Sequence, residues 1–255
     1  MTGGARTWRL LDDLGCAHGA AEQMARDVEL LDDVAGGAPP VLRLYRWGRP
    51  ALSLGRFQPH DDVDSAACDR LGVDVVRRPT GGRAILHGRD LTYAVAMPRP
   101  AGAAGSVAAV HDLLAGALVA GLARLGGDAA VARHDGVRPT GPVCFTGMQG
   151  ADLRVGERKL CGSAQVRRRG RVHAVLQHGS ILLDRLSFDE TAVLHGADVP
   201  LAASTVTLAE LGAPADARVV ARALVEGFRQ TLDVDFTVAV EGVEVTRWSS
   251  VQALP

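Results

Sequence analysis

A glycine turn bracketed by arginines constrains this chain more than any other stretch. It lies within residues 77–93, which read RRPTGGRAILHGRDLTY. Residues 71–76 before it have the β-branched composition of a strand, and residues 91–97 after it read as a second strand. Pro79 biases the residue before it toward extended backbone, while Gly81 and Gly82 can adopt positive φ and leave the backbone bare to a ligand. The sequence therefore predicts a strand, an open turn and another strand.

The charges around this turn indicate a ligand with a polar or anionic head. A guanidinium group binds such a head, and a glycine pair lets an elongated ligand approach closely. The alternative is a plain glycine turn whose arginines are solvated, because short glycine patterns are weak signals on their own. The candidate substrate-binding residues of this stretch are Arg77, Arg78, Gly81, Gly82, Arg83 and His87.

Composition excludes several classes of protein. The chain has 255 residues, of which 47% are hydrophobic and 22% charged, and we expect them to form a single domain over residues 1–255 without an accessory domain. A net charge of -1 gives no basic field for nucleic acid or an anionic membrane. The sequence has no run of about 18 apolar residues, so no membrane span is predicted. Residues 1–13 lack the apolar core of a signal peptide. We expect a cytoplasmic protein that binds neither nucleic acid nor membrane.

The four cysteines, Cys16, Cys68, Cys144 and Cys161, are widely spaced and form no CxxC pair. Four cysteines in so long a chain do not predict a disulfide framework, and without clustered partners they do not predict a metal site. They are therefore expected to be buried structural thiols, or to include one nucleophile.

Lys159 is the single lysine among 28 Lys and Arg residues. A drift toward arginine explains the other basic positions but does not explain the one that stays lysine. Arginine cannot replace lysine where a compact ammonium charge or a shiftable pKa is needed. We take Lys159 as a catalytic candidate; the alternative is a surface lysine retained by chance.

Periodicity predicts a mixture of helices and strands. Helices are expected at residues 19–34, 63–71, 107–125, 205–211 and 216–232. Strands are expected at residues 41–45, 51–55, 71–76, 91–97 and 129–133, with residues 8–11 as an edge strand. Residues 152–161 and 166–177 read as two hairpins, separated by residues 162–165. Residues 134–142 read as a polar loop, and the tail after residue 233 has no clear assignment.

The second hairpin has an arginine-rich tip at residues 167–171. Seven of the 18 residues from 154 to 171 are basic. Such a tip is most often a solvated turn. It would alternatively suit an acidic protein partner, because a local cluster of positive charge attracts an acidic surface.

Three blocks, RRPTGGRAILHGRDLTY, KLCGSAQ and LQHGSILLD, together resemble the lipoate–protein ligase and octanoyltransferase family. They occur in the family's order, and WRLLDDLG, LRLYRWGRPALSLGRFQP and the VCF segment extend the similarity over about three quarters of the chain. The resemblance implies an α+β fold with a mixed, largely antiparallel sheet flanked by helices, related to the catalytic domain of biotin–protein ligases. It adds these candidate substrate-binding residues: Gly162, Ser163, Ala164, Gln165, His178 and Gly179.

Within the family, the sequence looks most like the LipM-type octanoyltransferases. ATP-dependent ligases usually have a Gly-Arg-Asn-Asp type sequence where this chain has Val143-Cys144-Phe145, and they need no nucleophilic cysteine. The other transferase type places its nucleophile after the His-Gly motif, whereas no cysteine follows Cys161 here. The resemblance therefore implies Cys144 as the acyl-accepting nucleophile. Residues 146–151 depart from the family pattern, and so does Cys161. Because Cys161 is a second cysteine close to Lys159 in the sequence, it is a rival nucleophile.

The resemblance also implies a reaction and its partners. Cys144 would take an octanoyl group, or a lipoyl group, from acyl carrier protein and pass it to a lysine of a lipoyl domain. Lys159 would favour the thiolate and stabilise the developing oxyanion, with no cofactor required. Acceptors would be the glycine cleavage H protein or dehydrogenase acyltransferase subunits, and family precedent favours a monomer.

Other readings stay open at this stage. An ATP-dependent lipoate ligase would use ATP and magnesium and would tolerate loss of Cys144. An octanoyl amidotransferase would move octanoate between lipoyl domains, and a non-catalytic acyl-binding module would bind without turnover. His178 is a further possible base, although a histidine of this kind is more often structural.

Overall fold

The computed structural model describes residues 6–132, 142–144, 152–197, 200–240 and 243–247. Most of the loop predicted at residues 134–142 lies outside these ranges, as do Phe145 and residues 146–151. Within the described residues, no helix has the length and apolar composition needed to cross a bilayer.

In the described ranges, four α-helices and twelve strands form the regular structure, together with four short 3-10 helices. The helices are α1 (Ala20–Ala35), α2 (Ser65–Leu71), α3 (Val107–Ala123) and α4 (Ala217–Leu232). The first six strands are β1 (Arg6–Asp13), β2 (Val41–Tyr45), β3 (Ala51–Leu54), β4 (Asp74–Arg77), β5 (Ile85–His87) and β6 (Asp90–Pro98). The other six are β7 (Ala130–Val131), β8 (Leu153–Val155), β9 (Arg158–Arg169), β10 (His173–Leu182), β11 (Val234–Val240) and β12 (Val243–Arg247).

Nine strands form one large sheet in the order β12-β11-β1-β2-β6-β10-β9-β8-β7. Strand β1 runs parallel to both β11 and β2, and the other neighbours in the sheet are antiparallel. This confirms the predicted α+β fold with a mixed, largely antiparallel sheet and flanking helices.

Helices cover both faces of the large sheet, and the alternation along β2 shows how. Leu42 and Leu44 belong to the core that also contains the buried faces of α3 and α4. Val41 and Tyr45 belong to the core formed with α1 on the other side. Because successive side chains of a strand point to opposite faces, five apolar-rich residues serve two cores.

A small sheet, β4-β3-β5, supports the glycine turn predicted from the sequence. Strands β3 and β4 are parallel, β3 and β5 are antiparallel, and the turn lies between β4 and β5. A third core cluster packs under this sheet and includes the buried thiol of Cys68.

The structure corrects several sequence predictions. The two predicted hairpins share one continuous strand, because β9 runs through residues 162–165 without a break and pairs with β10 from Cys161 to Arg169. Strand β1 is not an edge strand, since it lies between β11 and β2. Residues 205–211 do not form a helix, since Thr205 makes an isolated bridge with Lys159 and residues 208–211 form turns. The unassigned tail after residue 233 contributes β11 and β12 to the large sheet.

Candidate active site

Residues from both sheets, from α1 and from α3 line a cavity of about 530 Å³. A volume of this size is typical of a small-molecule site. Arg77 and Arg83 do not line it. The predicted site residues that do line it are Arg78, Gly81, Gly82, His87, Cys144, Lys159, Gly162, Ser163, Ala164, Gln165, His178 and Gly179.

Arg78 shapes the glycine turn from inside. Its side chain is buried and donates hydrogen bonds to the carbonyl of Ser53 at 2.7 Å, of Gly81 at 2.8 Å and of Arg83 at 2.6 Å. Burial lowers the pKa of Arg78, and the nearby charge of Cys144 opposes that shift. The guanidinium is therefore fully engaged with the backbone and serves as a fixed positive charge beside Cys144.

Gly82 lies between the guanidinium of Arg78 and the thiol of Cys144. Its φ is +96°, which favours glycine, and a Cβ at this position would lie 2.7 Å from Arg78 Nη2 and 3.9 Å from Cys144 Sγ. The turn, the arginine and the cysteine thus meet at one point of the cavity wall.

Arg77 and Arg83 have other surroundings. Arg77 Nη1 donates to the carbonyls of Gly55 at 2.8 Å and Gln58 at 2.7 Å, so Arg77 fastens the loop after β3 to the end of β4. Arg83 contributes its carbonyl to Arg78. Within the described residues, these two arginines support the turn rather than the cavity surface.

Cys144 is placed by a short backbone ladder. The amide of Cys144 donates to the carbonyl of Ala84 at 2.9 Å, and the amide of Ala84 donates to the carbonyl of Pro142 at 3.0 Å. The bridge between Ala84 and Val143 is parallel. Backbone pairing of this kind fixes the thiol relative to the glycine turn two residues before Ala84.

Lys159 is a buried cation held by a carboxylate. Its side chain is 2% exposed, and Nζ lies 2.7 Å from Asp152 Oδ2. Nζ also donates to the backbone carbonyl of Cys144 at 3.4 Å. Burial by itself lowers the pKa of Lys159, but Cys144 and Asp152 outweigh that effect and raise the pKa. The ammonium therefore stays charged at neutral pH, next to the cysteine.

The rival cysteine has a different environment. Cys161 is fully buried in the core under α3 and does not line the cavity. Burial first, and then the Asp152 carboxylate, raise the pKa of Cys161 to about 12. At neutral pH Cys161 is a structural thiol, which favours Cys144 as the nucleophile.

His178 lines the cavity with both ring nitrogens already hydrogen-bonded. Nδ1 lies 2.8 Å from Asp27 Oδ2, and Nε2 lies 2.6 Å from Thr80 Oγ1 in the glycine turn. Asp27 is itself held by Arg43 at 2.8 Å and by the hydroxyl of Tyr45 at 3.1 Å. This arrangement orients the turn from behind and leaves His178 no free nitrogen for proton transfer.

His87 belongs to a second buried network. Its Nδ1 lies 2.8 Å from Asp90 Oδ2, its Nε2 lies 2.8 Å from Ser53 Oγ, and its ring stacks on Trp47 at 4.1 Å between centroids. Arg78 Nη1 lies 3.3 Å from Ser53 Oγ. The network therefore connects the floor of the cavity to the cation beside Cys144.

The Gly-Ser-Ala-Gln and His-Gly motifs face each other across β9 and β10. Gly179 pairs with Ser163, and a Cβ on Gly179 would lie 2.5 Å from the carbonyl of Gly162 and 2.6 Å from the ring of Tyr93. The hydroxyl of Ser163 lies 2.7 Å from the hydroxyl of Tyr93. Only glycine fits at this crossing, because the two strands and the tyrosine leave no room for a side chain.

Sequence reasoning missed Asp152 and His111. Asp152 begins the predicted hairpin at residues 152–161, and folding that hairpin back places a carboxylate near Lys159, which is a signal that we did not use. His111 lies on α3 and lines the cavity, and its buried Nδ1 has no partner among the described residues. Burial lowers the pKa of His111, Arg167 adds to that shift, and Asp152 and Asp112 oppose it. His111 was missed because a single histidine on a helix forms no distinct pattern in the sequence.

The part of the chain that the structure describes has no group of three His, Cys, Asp or Glu side chains placed to hold a metal ion. The groups that the described cavity presents include the thiol of Cys144, the buried ammonium of Lys159 and the buried guanidinium of Arg78. This set is suited to acyl transfer through a covalent thioester.

Comparison with known proteins agrees with the sequence resemblance. The model of the lipoyl protein ligase A/B catalytic domain matches residues 19–228. Octanoyltransferase LipM from Kyrpidia tusciae is 38% identical over 244 residues, which are 89% of this chain and 88% of that protein. Octanoyltransferase LipM from Carboxydothermus hydrogenoformans is 41% identical over 181 residues, which are 69% of this chain and 65% of that protein.

Solved structures give the same fold. The crystal structure of a lipoate-protein ligase A bound with ATP has a TM-score of 0.73 at 25% identity, covering 94% of this chain and 90% of that chain. The resemblance stated from the motifs is thereby confirmed. This chain belongs to the family of lipoyl protein ligase A/B catalytic domains.

Proposed function

We propose that this chain is an octanoyltransferase that moves an octanoyl group to a lysine of a lipoyl domain through a thioester on Cys144. The main observation is that Cys144 is the one cysteine of the four, all within the described residues, that lines the cavity. It lies there against the buried pair of Lys159 and Asp152. The similarity to proteins named octanoyltransferase LipM supports the choice of acyl group.

The first half-reaction loads the enzyme. The Cys144 thiolate attacks the carbonyl carbon of the donor thioester, a bond forms between Sγ and that carbon, and the carrier thiolate leaves and takes up a proton. Negative charge develops on the carbonyl oxygen. The Lys159 ammonium and the Arg78 guanidinium are the cations within reach of the region where this charge appears.

The second half-reaction makes the amide. The unprotonated amine of the target lysine attacks the acyl-Cys144 carbonyl, the carbon–nitrogen bond forms, and Cys144 leaves as the thiolate. The proton lost by the amine ends on solvent or on the leaving thiolate. The same two cations face the oxyanion in both halves, so one site serves two transfers of the same acyl group.

The acyl chain needs an apolar slot, and the cavity offers one. Apolar side chains from several elements line it, including Met24 on α1, Tyr45 on β2 and Ile85 on β5. These residues are buried and belong to packed cores, so the slot is preformed. An eight-carbon chain that enters it loses apolar contact with water, which contributes roughly 0.8 kcal/mol per CH₂ group.

Acyl carrier protein is the donor that we propose, and we propose that the transfer needs no nucleotide. The thioester supplies the activation that a ligase obtains from ATP. Lipoyl-domain proteins are the proposed acceptors. Membership of the lipoyl protein ligase family supports this proposal.

The decisive experiment is mass spectrometry of the purified protein after incubation with octanoyl carrier protein in the absence of ATP. We expect a mass gain of one octanoyl group on the Cys144 peptide, removed by hydroxylamine. Cys144→Ala should abolish loading, whereas Cys16→Ala, which changes a half-buried cysteine outside the cavity, should load normally.

Other outcomes of the same experiment separate the alternatives. Loading on Cys161 would keep the reaction class and reject Cys144 as the site. Modification of a lipoyl domain only with free octanoate or lipoate and ATP would identify a ligase. Loading from an octanoylated lipoyl domain, but not from carrier protein, would identify an amidotransferase.

A further inference from the structure

We propose that Arg56, Arg167 and Arg169 form a basic docking surface, hereafter the arginine rim, for an acidic donor protein whose thioester is carried on an arm with a phosphodiester at its root. This inference rests on the proposed function and adds the surface that receives the donor. It gives a role to Arg167 and Arg169 of the arginine-rich tip, of which only Arg167 lines the cavity.

The hairpin of β9 and β10 connects the catalytic cavity to this rim. Strand β9 begins at Arg158, carries the catalytic Lys159, lines the cavity from Gly162 to Arg167 and ends at Arg169. Arg167 is exposed, so it lies at the open edge of the cavity. Arg169 lies two residues further, about 6.6 Å along the strand on the same side. Arg56, exposed after β3, lines the cavity from the small sheet.

The charges of the rim are available to a partner. Arg168, on the other side of the strand, is paired with Asp32 on α1 at 3.0 Å. Within the described residues, no carboxylate lies within ion-pair distance of Arg56, Arg167 or Arg169. The whole chain has a net charge of -1, so this positive rim is a local feature and not part of a general basic surface.

Exposed apolar side chains lie beside these charges. Phe57 is 84% exposed, and the guanidinium of Arg56 lies 5.4 Å from the centre of its ring. Val107, which also lines the cavity, is 51% exposed. An apolar contact bordered by charge is the usual composition of a protein–protein interface, and aromatic and arginine residues are enriched there.

The sign of the rim favours the donor over the acceptor as its occupant. A lysine side chain arrives as an ammonium, which arginines at the edge of the cavity repel. An arm with a phosphodiester at its root arrives with negative charge, which a guanidinium binds in bidentate fashion. An acidic protein surface around that arm would be attracted by the same arginines and would associate faster at low salt.

The test compares two donors that share one thioester. Octanoyl carrier protein presents the acidic surface and the phosphodiester, whereas octanoyl pantetheine presents neither. We expect Arg169→Glu to lower the second-order rate of acyl-Cys144 formation from the carrier about tenfold and to flatten its salt dependence. The rate from octanoyl pantetheine should stay within about twofold of wild type, because Arg169 does not line the cavity.

The matched control is Arg124→Glu, the same charge reversal at an exposed position after α3 and away from the cavity, which should leave both rates unchanged. An unchanged carrier rate in Arg169→Glu, an equal loss with both donors, or a loss confined to transfer onto the lipoyl domain would each overturn the inference. If the wild-type protein loads from neither donor, the proposed function fails, and the inference fails with it. If the wild-type protein loads but Arg169→Glu gives one of the three contrary results above, only the inference about the rim fails.

Discussion

The protonation state of Lys159 depends on its neighbours, since burial alone opposes the charge of this lysine. Asp152 and Cys144 keep its pKa raised. Replacing Asp152 with Asn removes the carboxylate at 2.7 Å and lets burial lower the pKa of Lys159. We therefore expect the loading rate of Asp152→Asn to fall further below that of wild type as the pH rises, because a lysine with a lowered pKa loses its proton at a lower pH than the wild-type lysine does.

The measurement is the pH profile of acyl-Cys144 formation for wild type, Asp152→Asn and the control Asp61→Asn, which alters an exposed carboxylate outside the cavity. A merely structural role for Asp152 predicts a uniform loss of rate at every pH. A profile of Asp152→Asn that runs parallel to wild type would therefore reject the electrostatic role.

Gly81 and Gly82 are adjacent in the sequence but differ in what they tolerate. A Cβ on Gly82 would meet Arg78 Nη2 at 2.7 Å on a backbone with φ of +96°, whereas a Cβ on Gly81 would have no heavy atom within 4 Å. We expect Gly82→Ala to lower the free energy of unfolding by roughly 1–3 kcal/mol and Gly81→Ala to change it by less than about 0.5 kcal/mol. Urea unfolding of both variants decides the point, and equal losses would contradict it.

At the scale of single elements, pattern-based prediction worked where apolar residues alone decide the structure. Helices α1, α3 and α4 were predicted within about three residues at each end, as periodicity over several turns is a strong signal. Strand β9 was split because Gly162 and Ser163 read as a loop, although both pair in regular register with Ser180 and Gly179 of β10. Strand β11 was missed because its partner, β1, is more than 200 residues away and short-range patterns do not report such pairs.

The short helical turn at Glu190–Ala192 fastens β5 from outside the cavity, and its carboxyl is a pH-sensitive group. Glu190 is buried, one oxygen accepts from the amide of Leu86 at 3.3 Å, and the other has no partner among the described residues. Burial raises the pKa of Glu190 from 4.5 to about 7. The folded state thus binds a proton that the unfolded chain releases near pH 4.5.

The sign of the effect on stability follows from this difference in proton binding. Between about pH 4.5 and about pH 7 the folded state holds more protons than the unfolded state, so the free energy of unfolding decreases as pH rises and levels off above pH 7. The contribution of this one group is on the order of 3 kcal/mol. Glu190→Gln should remove it, and Glu157→Gln, at a fully exposed position, should not. Urea unfolding at pH 5 and pH 8 tests the expectation, and equal slopes in all three proteins would contradict it.

At the scale of the whole molecule, the family and most of the candidate residues that line the cavity were predicted from the sequence. The buried polar network was not predicted. Twelve of the fourteen candidate site residues line one cavity, since motifs that are far apart in sequence meet across β5, β9 and β10. Asp27 and Arg43 were not recognised, because a charged residue on a predicted helix or strand reads as solvent-facing until its partner is known. Pairing brings both charges into the interior, where Asp27 also positions His178.

The strands outside the family match complete the fold. The match spans residues 19–228, while β1 and β11 lie outside it and pair with each other. Trp8 and Phe236 on these strands are both buried, with their rings 6.4 Å apart and nearly perpendicular. Each large apolar side chain buried in this way contributes roughly 1.5–3 kcal/mol. Six of them lie in the segments removed by trimming to the matched residues, namely Trp8, Leu10, Leu232, Val234, Phe236 and Val238.

Their summed contribution is on the order of 10 kcal/mol, which is comparable with the entire stability of a typical domain. A chain trimmed to residues 19–228 is therefore expected to lack a cooperative thermal transition by circular dichroism. In the full chain, Phe236→Ala should lower the free energy of unfolding by about 3–5 kcal/mol, whereas Phe57→Ala, at an exposed phenylalanine, should change it by less than about 0.5 kcal/mol. A trimmed chain that unfolds cooperatively at the temperature of the full chain would show that β1 and β11 are dispensable to the core.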